Sequence, residues 1–473
     1  MAPHLLGGFA PRSVPDSPVT RTLRLELDRP ARLAACSLAL LGSACASYTQ
    51  RTAAALSAYQ GGRLEEARAA FADPDTTGSE FLGPAEAGTV ALTAGDWEQA
   101  RSHLDQAAAY VREVEERALV SATEAAEGLA SLALSESVKS YYGEGYERVM
   151  IHVMLALTFL GQGKLDGVWV EVQRANKLLE SEETLYEKQY QAGGMGNFMS
   201  AVAYELFGQP ADAYIDYKRM EAKGVGTQVA GRALVRLGTQ LGRDDELPTW
   251  IERYGADSER PADAASVVLL AGVGLGPFKE ETTIALPLPG GVVQWSVPAL
   301  RRRPQPVSGL SLVHVHSGAR VESSLIEDVG AVAQQNLDDR IGWLAAKSAV
   351  RAGLKYAATD AMTDKHGAVG WIVGSVFTMV TEHADLRCWT TLPDSWHGAR
   401  LFVAPGVHAL ALESHGGERV ELGTYELERG ETLVVIARTL GTRLYAYPIG
   451  GRRIDQEQAV PAAEAGPEPV PQP

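Results

Sequence analysis

Residues able to do chemistry are few and scattered in this chain. Thiolate or imidazole chemistry would have to come from three cysteines, Cys36, Cys45 and Cys388, and ten histidines. His314 and His316 share one face of a strand-like run, the spacing of a pair of metal ligands. No Asp, Glu, Cys or His at helical spacing nearby completes a site, so they read as structural or surface histidines. Cys388 beside Arg387 has the surroundings of an activated thiol; beside Trp389 and after an apolar helix it has those of a small buried hydrophobe, and the second weighs more. Gly272-Val273-Gly274-Leu275-Gly276 invites a dinucleotide-binding reading that fails at the next step. Pro277 and Phe278 lead into Lys279-Glu280-Glu281 and a proline-rich stretch, so no helix opens on the glycines to receive a phosphate, and a turn between strands is expected. Gly-x-Ser-x-Gly, Ser-x-x-Lys and His-Glu-x-x-His are all missing. No catalytic residue, metal or cofactor is assigned, although an enzyme with scattered site residues would leave no such mark.

Cys45 carries the clearest chemical signal. Arg29 and Arg32 precede Leu33 to Ala44, an apolar and small-residue run ending at Cys45. A positive flank, a short apolar run and small residues are the layout of a secretory signal. The run is too short to span a bilayer, which needs roughly 20 apolar residues. Ser43 and Ala44 resemble the box that lipoprotein signal peptidases read before attaching lipid to a cysteine thiol, with Gly42 where that pattern has Leu. Three readings compete: lipidation at Cys45, ordinary cleavage at Ala44-Cys45-Ala46 read as small-x-small, and a buried helix. The first makes residues 1–44 a leader, anchors the rest to a membrane through its lipid, and leaves Cys388 without an intramolecular disulfide partner. Ala46 and Ser47 after the cysteine, by resemblance to bacterial lipoproteins, favour the outer membrane.

Positioning of any site depends on the elements around it, and here a repeat stands out. Gly62, Gly95, Gly163, Gly208 and Gly242 each close one helical stretch and precede another, with Ala55, Gly88, Ala156 and Ala201 seven positions before the first four. Nine positions after the five glycines come Phe71, Leu104, Val172, Tyr217 and Ile251. The intervals are 33 from Gly62 to Gly95, 68 from Gly95 to Gly163 and 34 from Gly208 to Gly242. This is the rhythm of tetratricopeptide helix pairs, whose period is about 34 residues. Small residues let paired helices approach and large ones wedge into the next pair. The slot around Leu129 lacks its glycine and reads as a degenerate repeat. The interval of 45 from Gly163 to Gly208 implies an insertion, expected as a loop at Gly193-Gly194-Met195-Gly196-Asn197. An irregular helical bundle is the alternative.

Texture changes at Asp257-Ser258-Glu259-Arg260-Pro261. The expected fold class is therefore multidomain: an all-α tetratricopeptide-like helical repeat over 48–256, then an α+β domain over 264–454 ending in a small β-sandwich, then a disordered Pro-rich tail over 455–473. Within the second domain, Ser266 to Ala271, Val292 to Val297 and Ser311 to His316 read as strands, and Arg301-Arg302-Arg303-Pro304 as a solvated loop. Ser324 to Met362 reads as a long amphipathic helix with Leu325, Val329, Val332 and Leu337 in its buried stripe. Gly367 to Val380 reads as a core helix. Three or four strands are expected from Leu401 to Pro448, with turns at Pro405-Gly406, Gly416-Gly417 and Arg429-Gly430.

Three blocks resemble a family of uncharacterised bacterial tetratricopeptide-containing lipoproteins of the outer membrane. They are Tyr141-Tyr142-Gly143-Glu144-Gly145-Tyr146-Glu147-Arg148 with Glu171-Val172-Gln173-Arg174-Ala175-Asn176, Ala384-Asp385-Leu386-Arg387-Cys388-Trp389-Thr390-Thr391-Leu392-Pro393 with Pro405-Gly406, and Gly274-Leu275-Gly276-Pro277 with Lys279-Glu280. The resemblance implies location and architecture and no activity. Cys388 stands where that pattern suggests serine.

Asp plus Glu number 59 against 43 Lys plus Arg, a formal charge of -16, and no long basic block is present, which argues against a nucleic-acid surface. The expectation is a lipid-anchored cell-envelope scaffold, on the periplasmic side of the outer membrane, that binds a protein partner through a helical-repeat groove. Tyr141, Tyr142, Glu144, Tyr146 and Arg148 are the candidate partner-binding residues, because an imperfect middle repeat opens the groove there; the plainer reading is that the tyrosines pack an interhelical joint. Other classes are an envelope enzyme or ligand-binding protein acting on cell-wall material through the C-terminal half, and a structural subunit of an outer-membrane assembly.

Overall fold

The computed structural model describes residues 47–124, 141–186, 193–256, 263–288, 291–339 and 385–454. Cys45 with the leader, the break at Asp257-Pro261, the Leu129 slot, the stretch from Gly367 to Val380 and the tail after Ile454 lie outside the described residues.

A helical region comes first. After the short α1 (Tyr48–Arg51), α2 (Ala53–Gln60) and α3 (Leu64–Ala72) form a pair; α4 (Pro74–Thr77) then leads into α5 (Leu82–Thr93) and α6 (Trp97–Glu124). Three further pairs are α7 (Gly145–Gly161) with α8 (Leu165–Tyr186), α9 (Gly194–Leu206) with α10 (Pro210–Lys223), and α11 (Thr227–Leu241) with α12 (Leu247–Tyr254). The first helix of each pair closes in the same way. Gly62, Gly95, Gly163, Gly208 and Gly242 have φ from 63° to 76°, a left-handed conformation that glycine adopts without Cβ strain. The amide of the residue after each glycine donates to the carbonyl five residues back: Arg63 to Ala58, Asp96 to Ala91, Lys164 to Phe159, Gln209 to Tyr204 and Arg243 to Gly238. These bonds satisfy carbonyls that a helix end leaves orphaned. Close approach explains the small residues: a Cβ on Gly88 would stand 2.6 Å from Leu104 Cγ of the paired helix. All of α5 except Pro84 is buried, which makes it a central helix of the region.

Mixed sheets follow, so the chain is a helical region succeeded by an α+β region. One sheet has the order β11 (Arg443–Ile449), β10 (Thr432–Leu440), β1 (Ala265–Val273), β7 (Ser395–Val403), β6 (Ser324–Asp328). The other runs β12 (Arg452–Ile454), β9 (Arg419–Leu427), β8 (Gly406–Ser414), β4 (Leu310–His314), β5 (Arg320–Glu322), and a hairpin joins β2 (Phe278–Leu288) to β3 (Gly291–Arg301). β1 pairs in parallel with β10 and antiparallel with β7. All nine of its residues are buried, because the sheet is covered on both faces. Val267, Leu269 and Ala271 face a core shared with Leu310, Leu312, Leu410 and Leu412 of the second sheet. Val268 and Leu270 point the other way, with Trp396, Val434 and Ile436, into one core with the helices. The molecule is thus layered helices, sheet, sheet, and one apolar core runs through the boundary between helical and α+β regions.

Four sequence expectations change. Ser324 to Asp328 begins no helix: it is β6, pairing with β7 so that Ile326 is buried and Leu325 exposed, and helical backbone starts at Val329. Spacing of four between Leu325 and Val329 imitates a helical stripe across what is a strand end. Gly194 to Asn197 belong to α9 and are no loop; Gly194 packs so tightly on Ile326 that a Cβ would stand 2.3 Å from its carbonyl oxygen. Arg302 is more than a solvated charge, since it bonds Asp394 at 2.5 Å and Asp328 at 2.9 Å. The expected three or four strands from Leu401 are parts of five, β7 to β11. The turn at Gly274 behaves as expected, held by the buried Arg438, which donates to the carbonyls of Gly272 and Gly274.

Candidate functional site

Segments far apart in sequence meet at one buried joint between α5, α7 and the stretch that leads into β7. Glu86 sits inside α5, fully buried, and makes no ion pair among the described residues. Its Oε1 accepts from the Thr390 amide at 2.7 Å, the Thr390 hydroxyl at 2.8 Å and the Tyr48 hydroxyl at 3.0 Å; Oε2 accepts from the Thr391 amide at 2.8 Å. Burial raises the Glu86 carboxyl above its ordinary range, and the threonine donors pull against it. Beyond the same segment lies Arg438, buried, which donates to the Thr391 carbonyl at 3.1 Å. One turn of chain therefore stands between a buried anion and a buried cation, its amides directed to the first and a carbonyl to the second.

Glu147, in the first turn of α7, does the same job one residue earlier. Its Oε1 accepts from the Trp389 amide at 2.7 Å and the Tyr146 hydroxyl at 3.3 Å, its Oε2 from the Tyr141 hydroxyl at 2.5 Å and the Glu144 amide at 3.0 Å. Burial pushes this carboxyl up to about 6 against the pull of Lys279. Lys279, on β2 and itself buried, meets Glu144 at 2.6 Å. Burial lowers its proton affinity, but Glu144 and the neighbouring acids outweigh that and hold the ammonium above its usual value. Trp389 fills the middle, 1 % exposed, with its indole N–H 3.1 Å from Thr89 and Thr391 hydroxyls and its ring edge-on to Phe81. Arg387 lies over the Tyr141 ring and bonds Asp385.

The structure places the five candidate partner-binding residues unevenly. Tyr141, Glu144 and Tyr146 are buried in the joint, whereas Tyr142 and Arg148 are half-buried at its edge, stacked on each other with Arg148 2.9 Å from Glu115. Cys388 is buried and free, and burial pushes its thiol up to about 12, which keeps it protonated and unreactive at neutral pH. Sequence reasoning missed Glu86 and the role of Lys279. The signal that existed was an acid inside an otherwise apolar helix, Pro84-Ala85-Glu86-Ala87-Gly88, a residue type almost never fully buried unless paired. Chemically the joint is saturated: each carboxylate is spent on holding backbone.

Two other groupings of polar side chains have catalytic types. Ser311 Oγ lies 2.7 Å from His415 Nε2, and Glu322 Oε2 lies 2.7 Å from that same nitrogen. A hydroxyl–imidazole–carboxylate relay needs the acid on the opposite ring nitrogen, so this arrangement cannot pass a proton through the ring. His314 ends β4 and His316 lies in the turn after it, so the two do not share a strand face as expected; His314 Nε2 stands 3.0 Å from His408 Nδ1 across the sheet instead. Among the described residues no group of three or more His, Cys, Asp or Glu could hold a metal ion, and no helix is long and apolar enough to cross a membrane. Comparison with protein-family models, with curated proteins and with solved structures found no match to the chain.

Proposed function

We propose that this chain is a cell-envelope scaffold, lipid-anchored through Cys45 on the periplasmic side of the outer membrane, whose tetratricopeptide-like helix pairs bind a protein partner. Support for the repeat comes from the five identical glycine closures and from the burial of Ala55, Gly88, Ala156 and Ala201 beside the paired helices. The observation that carries the binding reading is an aromatic patch on α8 and the end of α9. Trp169 meets Tyr204 at 4.5 Å and Phe207 at 6.5 Å between ring centroids, and Val170 and Phe207 are exposed at 44 % and 37 %. Large aromatics gathered at a surface give contact area at low entropic cost, the composition of interaction hot spots. Tyr142 and Arg148 are the part of the Tyr141 block that reaches the surface beside it in the chain, and they remain secondary candidates.

Affinity capture from membranes tests the reading, with wild type against a Trp169→Ala, Phe207→Ser pair. The partner should co-purify with wild type and be lost with the variant at an unchanged melting point; retention of every partner by the folded variant removes the patch. Anchoring is tested separately. Cys45→Ala should leave the membrane fraction or stall unprocessed, and an unmodified mature start at Ser47 by mass spectrometry would refute lipidation.

A further inference from the structure

Where α11 and α12 meet strands β5 to β7, a cavity of about 450 Å³ opens to the surface. That volume falls among small-molecule sites, roughly 300–1,000 Å³. Val229, Tyr254 and Phe402 give it apolar and aromatic wall, and Arg232, Arg236 and Arg400 give it positive charge.

Glu205 lies against two of these arginines. It takes Arg400 in a two-pronged contact at 2.8 and 2.9 Å, Arg236 at 2.7 Å and the Tyr217 hydroxyl at 2.8 Å. One carboxylate thus answers two guanidinium groups, with the Arg236, Arg400 and Glu205 side chains only 7, 13 and 12 % exposed. A terminal nitrogen of Arg236 is fully buried and meets the same Glu205 carboxylate that Arg400 occupies with two prongs. Arg232, on the same face of α11 one turn earlier, makes no hydrogen bond or ion pair among the described residues. Glu322 lines the opposite side, already engaged by Ser311 and His415. Arg236 and Arg400, both buried, share the single buried carboxylate of Glu205, which leaves one positive charge over away from water, while Arg232 and Glu322 stand exposed at the mouth. Charge held away from water is costly unless it is paired, and guanidinium forks match a carboxylate in shape.

We infer that this cavity binds an organic monocarboxylate with a compact aromatic or apolar body. Its carboxylate lies between Arg232 and Arg236 and its body lies on Val229, Tyr254 and Phe402. A single negative charge balances the site, whereas a phosphate dianion would leave it one charge in excess. This proposal does not rest on the partner-binding reading: Glu205 shares α9 with Tyr204 of that patch, but the cavity is lined by α11, α12 and strands β5 to β7.

Calorimetric titration of the full chain with 3-phenylpropionate tests it, alongside the neutral 3-phenylpropionamide and the dianion phenyl phosphate. Saturable binding of the acid is expected, with the amide weaker by about tenfold or more, as for loss of a charge-assisted contact. Arg232→Gln, on an exposed position that should not disturb folding, is expected to weaken the acid by a similar factor. Val229→Trp fills the cavity from its half-exposed wall and should abolish binding at an unchanged melting point. Absence of saturable acid binding at millimolar concentration, equal binding of the amide, an unchanged dissociation constant in Arg232→Gln, or tighter binding of phenyl phosphate each overturns the assignment.

Discussion

Glu147 is where protonation and folding are most directly coupled. Its carboxyl is shifted by burial from 4.5 to about 6. A raised folded-state value means that the native protein binds this proton more tightly than the unfolded chain does. The stability it contributes is complete below about pH 4.5 and lost as pH rises through about 6, about 2 kcal/mol in all. Glu147→Gln cannot titrate, so the stability of wild type minus that of the variant should fall by about 2 kcal/mol between about pH 3.5 and 7, read from urea melts at stepped pH. A constant difference would assign the titration to another group. At this scale the sequence was half legible. Tyr141 and Tyr146 were marked by type and spacing, yet their role depends on burial that a sequence of alternating aromatic and polar residues does not state. Glu86 was illegible for a simpler reason: its ligands include the backbone amides of Thr390 and Thr391, 304 and 305 positions away, and an amide is a group that nearly every residue carries.

Among elements, the turn glycines separate two effects. Around Gly163 nothing lies within 4 Å of an added Cβ, whereas at Gly95 that atom would stand 2.5 Å from the Tyr447 ring of β11. Gly163→Ala should cost about 1–2 kcal/mol, the left-handed strain alone. Gly95→Ala should cost about 1–3 kcal/mol more, because the ring must move, and chemical denaturation of the two variants measures the difference. Equal losses would show that β11 yields freely. Trp389→Ala should cost about 3–5 kcal/mol, as a buried aromatic between helices and sheet; an unchanged melting point would mean that the joint does not pin the layers. The helix pairs were legible because the same local problem, ending a helix and turning back, recurs and takes the same residue each time. β1 was legible because a strand covered on both faces is apolar throughout. Its partners were not, since pairing with β10 and β7 joins positions more than a hundred residues apart and is decided by the packing of whole layers.

For the whole molecule, the boundary near Asp257 divides composition more than it divides the core. Val268, Leu270, Trp389, Trp396, Val434 and Ile436 share one cluster with the helices, so a fragment of residues 48–256 would expose that face. It should give a helical far-ultraviolet spectrum, bind a hydrophobic dye and melt without cooperativity; a sharp melt in the fragment would establish an independent domain. The clamp formed by Glu86, Glu147 and the Trp389–Thr391 stretch also has a meaning in time. A chain is made from its N-terminus at about 5–20 residues per second, so the 304 positions from Glu86 to Thr390 amount to a delay of about 15 to 60 s. Throughout that delay the helix pairs can exist but their seam stays incomplete, because Glu86 and Glu147 have their tyrosine donors but not the backbone amides of Trp389, Thr390 and Thr391. Synthesis of Thr391 ends the wait, and a helix is thereby finished by a segment made about 300 residues after it.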